Sequence, residues 1–156
     1  MNSAKHLMYG LIATCLLTSS HLHATNFSSA ANAVLQSNNS GARAMYYGLL
    51  SLQNDSRIQV YYAWINMVAA RNSALRAYQS AVAGYAAEAT PNGLQARNNT
   101  YNNWLYKNRA AAFLYRTYLY GRRADSLQST SNGYLALLFT GRAAYFTGLA
   151  AEGGVK

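Results

Sequence analysis

A single proline, Pro91, stands in a chain of 156 residues, and that scarcity constrains the fold more than any other feature. Proline breaks helices by removing a backbone donor and clashing with the preceding turn, so long helices meet few obstacles here. The flanking sequence is rich in Ala, Leu, Arg and Gln, residues that lose little on entering a helix. Between Arg57 and Glu88, the residues Ile58, Tyr61, Ile65, Val68, Leu75 and Val82 recur at steps of three, four and seven, the spacing of one helix face. Asn72 falls on the same face, where a lone polar residue fixes packing register or marks a wet gap. Beyond the proline, Leu94, Tyr101, Leu105, Ala112 and Leu119 form a similar stripe, with Trp104 and Tyr115 to one side. Strands would alternate by two, and neither segment does.

Turn-forming residues divide the chain. Ser37-Asn38-Asn39-Ser40-Gly41, Asn54-Asp55-Ser56, Thr90-Pro91-Asn92-Gly93 and Gln128-Ser129-Thr130-Ser131-Asn132-Gly133 read as turns, and Gly153-Gly154 as the end of the fold. Thr90 suits a helix cap and Pro91 the first helical position. Shorter helices are expected over 42–53, with a turn or helix before it over 28–36, and over 134–151. Short polar connections favour antiparallel neighbours, so the expected fold is all-α, an up-and-down bundle of four or five helices, two of them long. The long helices would each span about 45–50 Å at 1.5 Å per residue. The short ones would not cover them, so either the long helices kink, at Gly84 or Gly121, or part of their surface meets a partner. The segments beginning at Arg43 and Arg142 resemble each other, but no fixed period makes a repeat protein of them.

The first two dozen residues have the form of an export signal. Lys5 supplies a short positive region, residues 7–17 an apolar run too short to span a membrane, and Ala24 a small residue at a cleavage position. The expected division is therefore a signal peptide over 1–24 and one helical domain over 25–156, in a periplasmic or extracellular protein. Thr14 fits poorly before a lipidated cysteine, which argues against a lipoprotein start at Cys15.

Export works as subtraction. His6, His21, His23 and Cys15 all leave with the signal, and the net charge falls by one from the +9 of the full chain. A domain with neither His nor Cys has no ordinary zinc or haem ligands and no Ser-His or Cys-His nucleophile. Its carboxylates are Asp55, Glu88, Asp125 and Glu152, and no spacing singles out a pair of them. No cofactor and no metal site is expected. Enzymatic chemistry on carboxylates and tyrosines is one alternative reading of the chain, and membrane activity through the apolar residues 134–151, with Arg142 near their middle, is another.

The leading reading is a binding module. Arg109, Arg116 and Arg123 are seven apart, and so are Tyr106, Phe113 and Tyr120. On one continuous helix the two rows would lie within roughly 60° of each other at about 100° per residue. Arginine beside aromatic rings permits cation–π contact and is enriched at interface hot spots. These six residues are the candidate binding site, for an acidic protein, an anionic polymer or an anionic lipid surface. The basic side chains could equally lie along the bundle's edge with their stems over the core. No nucleic-acid motif accompanies the charge, so a specific nucleic-acid target is not expected. Self-association into a homo-oligomer is a further expected use of the uncovered helix surface.

Overall fold

The computed structural model describes the backbone of residues 2–153 and the side chains of residues 24–153. Among the described residues there are four helices and no strand: α1 (Asn2–Asn54), α2 (Arg57–Ala87), α3 (Pro91–Tyr120) and α4 (Arg123–Gly153). Each helix packs on the next, α4 closes back on α1, and the diagonal α1–α3 pair barely touches. The result is an up-and-down four-helix bundle.

Two of the expected turns hold. Asp55 takes a positive φ of 48° between α1 and α2. At the start of α3, Thr90 accepts a hydrogen bond from the Gly93 amide at 3.0 Å, with Pro91 in the first turn. The third reversal comes earlier than expected. Gly121 ends α3 in the left-handed region at φ 64°, a conformation that glycine adopts without strain, and its amide donates to Thr117 O at 2.8 Å.

The other two expected turns are continuous helix. Ser37 through Gly41 lies inside α1, and Gln128 through Gly133 lies inside α4. The physical reason is that Ser37, Gly41, Ser129 and Gly133 are buried against neighbouring helices. Ser37 Oγ donates to Ala70 O of α2 at 2.8 Å, and Ser129 Oγ donates to Ala110 O of α3 at 3.1 Å. Their hydroxyls bond across the bundle, so the local turn preference loses to packing. The expected contrast of two long and two short helices disappears with those turns, since no helix is shorter than the 30 residues of α3.

The core does not use the large apolar stripes. In α2 the buried positions are Val60, Met67, Ala74 and Ala81, interleaved with Ala63, Ala70, Ala77 and Gly84 in an unbroken heptad pattern, with Ser73 beside them. In α4 the corresponding series are Ser126, Gly133, Thr140 and Thr147, with Ser129, Ala136, Ala143 and Ala150. In α1 they are Phe27, Val34 and Gly41, with Ala30, Ser37, Ala44 and Ser51. Ile58, Tyr61, Ile65 and Val82 lie on the outside instead, as do Tyr101, Ala112 and Leu119, while Val68, Leu75, Leu94 and Leu105 are half-buried. Asn72 is exposed and sets no register.

Small residues at the seams let helix backbones approach closely. Phe27 is the large exception: fully buried, it fills the space left by two glycines. A methyl group on Gly84 would come within 2.7 Å of its ring, and one on Gly93 within 3.1 Å. Gly84 is thus a packing residue and not a kink. Phe27 marks where α1 meets the C-terminal end of α2 and the start of α3. Upstream of it α1 continues to Asn2, through the residues expected to be removed as a signal.

Candidate functional site

The seam between α3 and α4 carries most of the expected binding residues. Tyr106 of α3 and Phe139 of α4 stack nearly parallel, with ring centroids 5.5 Å apart and planes inclined by 8°. Arg109 lies over the Tyr106 ring at 5.5 Å and Arg142 over the Phe139 ring at 5.7 Å. Two guanidinium groups therefore flank one aromatic pair. A turn or two further along α3, Arg116 lies over Phe113 at 5.5 Å. Arg109, Arg116 and Arg142 are exposed, while Tyr106, Phe113 and Phe139 are half-buried. The arginines lie over the rings and keep their head groups in solvent, which combines the two expected arrangements: stems and rings cover the seam, charge faces out.

Arg123 and Tyr120 fall elsewhere. Because α3 stops at Tyr120, Arg123 opens α4 and does not continue the α3 edge. Both residues line a cavity of about 690 Å³ at the end of the bundle, together with Arg57, Tyr118 and Ser126. The expected row of six thus resolves into four residues on the seam and two at its end. Among the described residues one ion pair forms, Arg116 Nε to Asp125 Oδ1 at 3.7 Å. The remaining seam arginines have no carboxylate partner within that range.

Two aromatic groups were not singled out by sequence. Tyr46, Tyr47, Tyr62, Tyr61, Trp64, Tyr118 and Tyr115 form one continuous chain of ring contacts across α1, α2 and α3. Tyr78, Tyr101 and Trp104 form a second. Tyr61 and Tyr101 belong to the expected core stripes, and Trp104 and Tyr115 lie beside one; the remaining rings join them from other faces and from neighbouring helices, which spacing along one helix does not show.

Lys107 was also missed. It lies in the middle of α3 at a core heptad position and is 1 % exposed. Its Nζ donates to Ser37 Oγ at 2.6 Å, to Ser37 O at 3.3 Å and to Thr140 Oγ1 at 3.0 Å. Thr140 in turn donates to Asn103 Oδ1 at 2.7 Å, and the Nδ2 of Asn103, fully buried, has no partner. Gly41 makes room for the lysine stem, since a methyl there would sit 3.3 Å from Lys107 Cε. Burial pushes the ammonium down from 10.5 to about 7, because removing a charge from water disfavours the charged form. The one available signal was a lysine seven residues from Leu114 and Thr100, in register with the small-residue heptads.

The carboxylates are separated. Asp55 and Asp125 lie at one end of the bundle, Glu88 and Glu152 at the other. Glu88 and Asp125 are therefore about 45 Å apart along the bundle, too far to share a reaction, taking the length of a 30-residue helix at 1.5 Å per residue. No helix among the described residues is long and apolar enough to cross a membrane, and residues 134–151 belong to α4, with Ala136, Thr140, Ala143, Thr147 and Ala150 packed inward. Compared with known proteins, the chain matches no family model, no curated protein and no solved structure.

Proposed function

We propose that this chain is an exported binding module whose α3–α4 seam takes an extended anionic polymer. The carrying observation is the Arg109–Tyr106–Phe139–Arg142 stack, two exposed cations held on a rigid aromatic pair. Arg116 over Phe113 continues the line along the same seam. Such a row offers charge at intervals with flat apolar surface between, which suits a chain of anionic rings better than a single compact anion. The rings hold the guanidinium groups in place before binding, so less freedom is lost on contact.

Arg109→Glu combined with Arg142→Glu tests this reading. Both side chains are exposed, and surface changes of this kind alter stability by about 0.5 kcal/mol or less. Arg116 is left in place because it partners the buried Asp125. Affinity for a polyuronate is expected to fall roughly tenfold or more, as two attractive contacts become repulsive. Acidic peptides and anionic vesicles, assayed alongside, identify the other partner classes. Unchanged polyuronate binding in the double variant removes the seam from consideration.

Export is part of the same reading. Its support is the signal-like pattern of residues 1–24. Mass spectrometry of protein recovered from outside the cytoplasm should find Thr25 at the N-terminus. A chain retaining Met1, or beginning with a lipidated Cys15, overturns it.

A further inference from the structure

Lys107 is a buried cation with no counter-charge. Its three acceptors, Ser37 Oγ, Ser37 O and Thr140 Oγ1, are neutral oxygens. Asp55, Glu88, Asp125 and Glu152 all stand at helix ends, whereas Lys107 lies in the middle of α3. Beside it Asn103 Nδ2 is a buried amide donor without an acceptor. An unpaired cation and an unpaired donor close together are costly in an interior unless something negative joins them. Both groups bond or are bonded by the same residue, Thr140.

Thr140 also forms part of a groove at the surface. The groove runs between α1 and α4, encloses about 230 Å³, and is walled by Ala31, Val34, Leu35, Leu137 and Ala144. Its polar lining residues are Asn38 and Thr140, which lie toward one end. It follows the helices from Ala31 to Asn38, seven residues or roughly 10 Å at 1.5 Å per residue. At Gly141 the absent side chain leaves open space. One end is therefore polar and backed by a positive charge, and the rest is apolar.

We propose that this groove binds an unbranched aliphatic carboxylate, its chain along Val34, Leu35 and Ala144 and its head at Thr140, with the buried Lys107 amine directly behind that residue. The sign of the buried charge selects an anion. The aliphatic lining selects a hydrocarbon tail, and the short extent along the helices a medium-length one. The arriving carboxylate supplies the counter-charge the amine lacks and so favours its protonated form. This site is separate from the α3–α4 seam and does not depend on the function proposed for it.

Calorimetric titration of the full chain at mildly acidic pH tests the proposal with octanoate, octan-1-ol and octylamine as probes. Octanoate should bind saturably, and the alcohol and amine should bind roughly tenfold more weakly or worse. Lys107→Met should remove the preference for octanoate over octanol. Gly141→Leu, whose new side chain enters open space, should occlude the groove and weaken all binding while Lys107 stays in place. No octanoate binding to the unmodified chain overturns the proposal. So does equal binding of octanol, a preference for octanoate that survives Lys107→Met, or octanoate binding undiminished in Gly141→Leu.

Discussion

Replacing Lys107 by methionine is expected to flatten the pH dependence of stability and to make the protein more stable in mild acid. The folded chain holds the Lys107 proton only below about 7, whereas an unfolded lysine holds it to about 10.5. Between those values the unfolded state binds the extra proton, so stability rises with pH across that window. Below it both states are protonated and the folded state bears the full penalty of a buried charge. From pH 7 to pH 9 the rise attributable to this group is about 2–3 kcal/mol, at 1.36 kcal/mol per unit. Methionine has a similar length and no charge, and Ser37 still donates to Ala70 O without the amine. The substitution should therefore gain most stability at pH 6, and about 2–3 kcal/mol less at pH 9. Urea denaturation of both proteins over that range measures the difference and cancels groups common to the two. Parallel curves would mean that Lys107 keeps an ordinary pKa.

The bundle itself was legible in the sequence, and for a sound reason. A single proline, abundant helix formers and a seven-residue spacing fix helices and their antiparallel packing. The turns at Asp55 and at Thr90-Pro91 were legible because their chemistry is local. Ser37–Gly41 and Gln128–Gly133 misled because serine, asparagine and glycine serve both turns and tight helix contacts. Only the neighbouring helix decides between those uses. Arg123 was misplaced by the same error, since moving the reversal from 128–133 to Gly121 transfers it to α4. Arg109, Phe113 and Arg116 were recognisable by their own spacing. Phe139 and Arg142 were not, because they join the seam from another helix.

Exchanging size between the two stripes should produce opposite results from those that hydrophobicity alone predicts. Both stripes of α2 repeat every seven residues, so period cannot say which one faces inward. Size decides it: two helices that carry alanine at successive heptad positions come close enough for a serine hydroxyl to reach the facing carbonyl, as Ser37 reaches Ala70 O at 2.8 Å. Ala77 is fully buried among Ala33, Val34 and Ala143. Ala77→Leu adds volume where there is no room and is expected to cost about 1–3 kcal/mol or more, by forcing helices apart along a packed seam. Ile58 and Leu138, by contrast, retain 59 % and 50 % of their exposure. Ile58→Ser and Leu138→Gln should each change stability by about 0.5 kcal/mol or less. If the large stripe were the core, Ile58→Ser would instead cost about 2 kcal/mol or more and Ala77→Leu, on the outer face, would cost almost nothing. Urea midpoints of the three variants therefore decide which face of α2 is inside. The same result bears on function, because an inside built from alanine leaves Ile58, Ile65, most of the described leucines and the described tyrosine rings wholly or partly on the surface, where contact with other molecules takes place.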